Sequence, residues 1–354
     1  MENRPRPSRE FFESLLASAQ GRADVRLLQK EPLERFLDLV LDVVTAEPSC
    51  VEWEPREMVV VGDTHGDYRS TNHLLDAYPS TPLVFLGDYS GRSREKFDDI
   101  RNCLLVFVAK LLSRDRILLL RGNHDDEMVS SENGLLQSLR EMLGAADGEA
   151  VWKKVVAIFH QLPVSLVMKD LIVLHGALPK VGTLGEIRGI PKGTPFVDQP
   201  LLTQVLWNDV TSRDGVADSE RCPGALVYGK STLLELLAAV GRKVLIHGHN
   251  YAAKGVGCDG ADICLYTCET YFYLPLGTPG DPPDVQTPLP GNLIAHYDGQ
   301  ETIGIRALPA FHLGEVPLFE VRVPSDGPPS AASVSSLRAT LFRSLHDRFK
   351  HQGR

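Results

Sequence analysis

The chain has 354 residues, of which 43% are apolar, 23% charged and 7% aromatic, enough for a sizeable core and too apolar for a disordered chain. Lysine and arginine total 37 against 46 aspartates and glutamates, a formal charge of −9. That balance argues against broad nucleic-acid or anionic-membrane binding, yet leaves room for a phosphorylated ligand gripped by a few local arginines.

No apolar run approaches the ~20 residues of a membrane span, and the charged, proline-containing start does not read as a secretory signal. Six cysteines without CxxC spacing read as free thiols in a reducing cytoplasm. Cys258, Cys264 and Cys268 lie close together, but at the wrong spacing for a zinc knuckle. Residues 1–26 read as an N-terminal arm, mobile or a loosely docked helix. Apolar residues at helical spacing from Leu27 to Val44 predict an amphipathic helix ending near Glu47-Pro48. Strands are expected at Met58–Val61, Leu83–Leu86, Ile117–Leu120, Leu171–Leu174 and Lys243–Ile246. They alternate with helices at 70–77, 95–112, 132–143, 150–160 and 230–240, the pattern of an α/β fold. Residues 176–229, rich in Gly, Pro and Asp, are expected to be mostly loop, and long loops are usually functional. Further strands are expected at Thr270–Leu274, Asn292–Tyr297, Thr302–Arg306 and Leu318–Val323. The boundaries drawn are an arm at 1–26, a main domain at 27–324 and a tail at 325–354, which contains a basic amphipathic stretch, Leu337–Phe349.

Each of the five strands of the alternating region runs into polar, glycine-flanked residues. These are Gly62-Asp63-Thr64-His65-Gly66, Gly87-Asp88, Arg121-Gly122-Asn123-His124-Asp125, His175-Gly176 and His247-Gly248-His249-Asn250. Ligand sites of open α/β sheets lie at the carboxyl ends of strands. Carboxylates, imidazoles and an amide oxygen without a thiolate suit Mn²⁺, Fe or Zn²⁺. Two such cations about 3.5–4 Å apart, bridged by one carboxylate, clamp a phosphate.

The ordered blocks GDTHG (62–66), GDYSGR (87–92), LRGNHD (120–125), HGALP (175–179) and HGHN (247–250) resemble the calcineurin-like metallophosphoesterases. Within these they look like the PPP family of serine/threonine protein phosphatases, with Trp207-Asn208-Asp209 where that family has WSDP. The likeness covers roughly residues 27–305. It implies a central β-sandwich of mixed sheets flanked by α-helices, and two divalent metal ions, manganese foremost with iron or zinc as alternatives. By position, Asp63 and His65 would hold the first metal, with Asp88 bridging; Asn123, His175 and His249 would complete the second. Arg92 and Arg221 would grip substrate phosphate together with Asn123, His124 would act as general acid, and Tyr271 would overhang the pocket. The implied activity is removal of phosphate from phosphoserine or phosphothreonine in proteins by a metal-bridging hydroxide. Alternatives are a hydrolase of small phosphorylated molecules such as diadenosine polyphosphates, and a non-catalytic phosphate-binding scaffold. The expected partner is a phosphorylated protein, with no nucleic acid, no membrane and no identifiable regulatory subunit.

Two departures stand out. The family's aspartate that pairs with the general acid is Gly91, and the glycine closing that block is Ser93. A carboxylate partner raises a histidine's pKa and fixes its tautomer, so Asp125 or Asp126 is the nearest candidate to replace it, and Gly91→Asp should restore it. The arginine of the last block is His247, read as a pocket residue rather than a ligand.

Overall fold

The computed structural model describes residues 8–93, 95–269, 292–308 and 315–333. Its first half comprises α1 (Arg9–Ala19), α2 (Lys30–Thr45), β1 (Cys50–Glu52), β2 (Met58–Val61), α3 (Tyr68–Ala77), β3 (Leu83–Phe85), α4 (Asp98–Leu112), β4 (Ile117–Leu119), α5 (Glu127–Glu132), α6 (Leu135–Leu143) and α7 (Ala145–His160). There follow β5 (Ser165–Val167), β6 (Leu171–Leu174), α8 (Leu184–Arg188), α9 (Pro200–Trp207), β7 (Asp209–Val210), β8 (Val216–Asp218), β9 (Leu226–Tyr228) and α10 (Lys230–Ala239). The chain continues through β10 (Val244–His247), β11 (Gly255–Gly257), β12 (Asp262–Cys264), β13 (Leu293–Tyr297), β14 (Thr302–Ala307), β15 (Val316–Arg322) and β16 (Ser330–Ser333).

Two mixed sheets face each other. One has the order β1-β5-β6-β10-β12-β11, the other β16-β15-β14-β13-β2-β3-β4. Side chains alternate across a strand, and that alternation builds the layers. Met58, Val60, Val84 and Leu118 point between the sheets, against Leu166, Leu171, Val173, Val244 and Ile246. Their neighbours Val59, Val61, Phe85 and Leu119 point outward, under Phe36, Val106 and Phe159 of the helices. On the far side Ile172, Leu174 and Leu245 pack beneath Leu202 and Leu233. Each such side chain, fully buried, contributes about 1.5–3 kcal/mol. The expected sandwich of mixed sheets with flanking helices is therefore present.

The register aligns the functional ends. β2, β3 and β4 are parallel, with Val61 opposite Phe85 and Phe85 opposite Leu119. In the other sheet β6 and β10 are parallel, with Ile246 opposite Val173. Gly248 N–H donates to His175 O, extending the β6–β10 pairing past the strand ends, and Arg121 N–H donates to Pro163 O, joining the two sheets at this edge.

Several expectations need correction. The stretch 176–229 lies mostly outside helices and strands, as expected, but it also holds α8, α9 and a three-stranded sheet of order β7-β9-β8 that were not foreseen. Its strands are only 2 or 3 residues long, too short for a period to show. The helix expected at 132–143 begins only at Leu135, after Gly134 with φ 100°, and the short α5 ahead of it was not foreseen. Residues 9–19, expected as a mobile arm or loosely docked helix, pack on α4 with Leu15 and Ala19 fully buried. The strand expected at 270–274, the basic stretch 337–349 and Tyr271 lie outside the described residues.

Candidate metal and phosphate site

Asp63, His65, Asp88, Asn123, His175 and His249 follow β2, β3, β4, β6 and β10, and the fold brings all six together, each at most 5% exposed. His65 Nε2 lies 3.8 Å from Asp63 and 3.5 Å from Asp88. His175 Nε2 lies 3.5 Å from Asp88 and 2.8 Å from Asn123 Oδ1, which is itself 2.9 Å from His249 Nδ1. Two groups of metal-ligating side chains result, His65-Asp88-His124 and Asp63-Asp88-His175, and Asp88 belongs to both.

The backbone is bent to make this happen. Of seven described non-glycine residues with positive φ, four belong here: His65 (40°), Asp88 (55°), Arg92 (66°) and His249 (66°). Such conformations persist only where the surroundings over-determine them, and they cluster at functional sites. Gly248 is required for the same reason: a Cβ there would come within 2.1 Å of Asp63 Oδ1. That close approach lets His249 N–H donate to the Asp63 carboxylate at 3.0 Å.

The donor set fits divalent cations. Among the described residues the ion-pair partners of Asp63 and Asp88 are all imidazoles. Burial pushes the Asp63 carboxyl up to about 7, and burial with the Asp63 charge pushes Asp88 well above the carboxylate range. Burial likewise pulls His65 and His175 down to about 3. Each of these imidazoles donates Nδ1–H to a carbonyl, Ser90 O at 3.2 Å and Leu86 O at 3.0 Å, which leaves the Nε2 lone pair facing inward. His175 Nε2 thus turns its lone pair on Asn123 Oδ1, His249 Nδ1 meets the same oxygen, and Asn123 Nδ2 and His249 Nε2 are buried without a partner. A cation relieves that repulsion.

His124 sits beside them, its ring 4.7 Å from that of His65 and its N–H donating to Asp88 Oδ1 at 2.8 Å. Its Nδ1 is buried and unpartnered. Neither neighbouring aspartate replaces the carboxylate absent at position 91. Asp125 accepts from the backbone N–H groups of Asp88, Tyr89 and Gly122 instead, knotting two site loops. Asp126 is committed to the buried Arg121 at 2.7 Å. Nor is there space for the side chain at 91: Gly91 has φ 87°, and a Cβ on it would lie 2.5 Å from His124 Nδ1. Burial, with the charges of His65 and Arg92, holds His124 well below the usual imidazole range.

Arg92 is exposed on the rim, and its charge reaches Asp88, His65 and His124. Arg221 is half-exposed, stands over the Trp207 ring at 5.9 Å, and is held by Asp209 at 3.2 Å. The buried Asp209, quoted from the sequence within the WSDP-like segment but given no role there, lies 4.0 Å from His249 Nε2, which marks it as part of the pocket wall. Asp99 went unnoticed in sequence, a buried carboxylate on α4 behind the Arg92 loop. His247 turns away from the cluster and pairs with Asp262 at 2.9 Å; although burial opposes its charge, that carboxylate holds its pKa up.

The family model for calcineurin-like phosphoesterases matches residues 57–252, which include all six converging side chains. The chain belongs to this family. It is similar to a Caenorhabditis elegans chain described as a serine/threonine-protein phosphatase, 31% identical over 202 residues. That match covers 55% of this chain and 53% of the relative, so the chain spans about half the length of that relative. The serine/threonine-protein phosphatase 4 catalytic subunit of Candida glabrata is 28% identical over 223 residues, 61% of this chain and 70% of that one. Among solved structures, a protein serine/threonine phosphatase from Saccharomyces cerevisiae superposes with a TM-score of 0.69 at 20% identity. It covers 88% of this chain and 99% of its own, a likeness of fold.

Proposed function

We propose that this family member is a metal-dependent phosphomonoesterase removing phosphate from phosphoserine and phosphothreonine in proteins. The observation that carries the reading is the meeting of the buried carboxylate–imidazole–amide nest with two rim arginines, Arg92 and Arg221. The names of the relatives support the substrate class.

In this reading Asp63, His65 and Asp88 hold one divalent cation, and Asp88, Asn123, His175 and His249 a second, manganese being the first candidate and iron or zinc the alternatives. Such cations would supply Lewis acidity toward phosphoryl oxygens and lower the pKa of a water. The chain's own groups do the rest. Arg92 and Arg221 pair with phosphoryl oxygens through planar guanidinium donors. Asn123 Nδ2 is the further donor, and Tyr271 is assigned to the substrate on the resemblance alone. His124 passes a proton to the leaving oxygen, and with Nδ1 unpartnered this is the step with least electrostatic support. The catalytic unit is drawn at residues 27–324, with α1 of the arm 1–26 packed on its α4 and β16 of the tail 325–354 paired to its sheet. The protein works in the cytoplasm, where its cysteines stay reduced, on phosphorylated proteins rather than nucleic acid or membranes. No described helix is long and apolar enough to cross a bilayer.

The test is phosphate release by manganese-loaded protein from a phosphoserine peptide, p-nitrophenyl phosphate and a dinucleoside tetraphosphate. Turnover of the peptide is expected. A fully loaded protein that hydrolyses only the tetraphosphate, or nothing, overturns the reading.

A further inference from the structure

We propose that Asp99 is the positioning residue that aims Arg92 at the substrate phosphate. The proposal rests on the phosphatase reading and deepens it. Two positions in this loop depart from the block it resembles, Gly91 and Ser93, and they flank Arg92 on either side. Both are bound by the same side chain. Asp99, 2% exposed in the first turn of α4, accepts from Gly91 N–H through Oδ1 at 2.9 Å and from Ser93 Oγ through Oδ2 at 3.1 Å. One carboxylate therefore straddles the arginine, with one oxygen on each neighbour. Ser93 Oγ also lies 3.3 Å from Glu95 O, but the charged acceptor is nearer and stronger.

The clamp answers a specific need. Arg92 has φ 66°, a conformation unfavourable for a non-glycine residue that must be enforced from outside. A glycine at 93 would have no hydroxyl to give, and a side chain at 91 would strike His124 Nδ1. Asp99 thus takes up the hydroxyl that Ser93 adds, and the carboxylate absent beside His124 has a counterpart behind the loop, where it serves the phosphate-gripping arginine instead of the acid. The helix N-terminus favours the anion at this place. Burial raises its pKa only to about 6, so the charged form prevails at neutral pH.

The experiment measures inhibition by inorganic phosphate, KM and kcat on p-nitrophenyl phosphate, and Tm. It uses manganese-loaded wild type, Asp99→Asn, Ser93→Gly, Arg92→Ala and the double variant Arg92→Ala/Asp99→Asn. Asp99→Asn keeps the shape but loses one of the two acceptors; it is expected to raise the phosphate inhibition constant and KM about tenfold, with kcat within about threefold. Ser93→Gly, a milder change near the surface, is expected to raise them about threefold, and it carries the test if Asp99→Asn does not fold. On the Arg92→Ala background Asp99→Asn is expected to add less than about twofold, because its effect runs through the arginine. Unchanged phosphate inhibition in both single variants, or effects that multiply in the double variant, overturns the clamp while leaving the phosphatase reading intact. A wild type that neither binds phosphate nor turns over substrate overturns both.

Discussion

Placing a side chain at position 91 should damage the enzyme, even when that side chain is the aspartate of the related motif. Gly91 has φ 87°, so any L residue there pays about 1–2 kcal/mol in backbone strain. Its Cβ would also lie 2.5 Å from His124 Nδ1 and 3.3 Å from Asn133 Cβ. Relief to an ordinary contact of about 3.4 Å requires one partner to move by nearly 1 Å, a displacement that costs up to about 10²-fold in rate when it falls on a catalytic group. His124 is the partner that must move, since its own N–H is anchored on Asp88 Oδ1 at 2.8 Å and its ring has only the side-chain torsions to spare. Gly91→Ala and Gly91→Asp are therefore expected to lower kcat on a phosphoserine peptide by about 10–100-fold. The fall should be smaller on p-nitrophenyl phosphate, whose leaving group needs little protonation. The strain should lower Tm by about 1–3 °C. Stopped-assay phosphate release and thermal unfolding at fixed manganese measure both. Wild-type turnover and Tm in Gly91→Ala would refute the steric argument, and faster peptide turnover in Gly91→Asp would show that the loop can admit a carboxylate partner for His124.

Three further outcomes are expected. Because burial raises the Asp63 carboxyl to about 7 and Asp88 above the usual range, protonated carboxyls compete with metal below about pH 7. Manganese affinity should weaken as pH falls from 8 to 6, and calorimetry in buffers of different ionisation enthalpy should record more proton release at pH 6 than at pH 8; equal release refutes this. Asp126→Ala leaves the guanidinium of Arg121, fully buried, without its carboxylate and should cost about 3–5 kcal/mol by urea unfolding, a loss below about 1 kcal/mol contradicting it. Arg221→Lys should raise KM nearly as much as Arg221→Ala, since a point charge cannot supply the paired planar donors. Recovery by lysine would show that charge alone suffices.

The strand ends were legible because each buried strand is a short apolar run halted by glycine and a polar ligand, and parallel pairing then carries those ends to one edge. Asp63, Asp88 and Asn123 meet for that reason alone. Less legible was whatever depends on contacts distant in sequence. The sheet of β7, β8 and β9 escaped notice because its strands are too short to show alternation. Asp99 lay hidden in an unremarkable helix start, its role set by two hydrogen bonds across a loop. The vacancy at Gly91 could be read from the motif, but the positive φ that closes that vacancy to a side chain could not.

During synthesis β2, β3 and β4 emerge carrying Asp63, Asp88 and Asn123, and the last of the six converging residues, His249, appears while β13 is still unmade. Yet β13 is the strand that pairs antiparallel with β2, Ile294 facing Val61, and separates it from solvent on that side. A nascent chain halted between Asn250 and Asn292 would therefore own every side chain of the nest and still present β2 as an unpaired, wholly apolar edge, the kind of template that recruits other chains. Ribosome pausing or proteolytic nicking in that interval should yield aggregates rather than a weakened enzyme, so the protein's quality control rests on a strand that carries none of its chemistry.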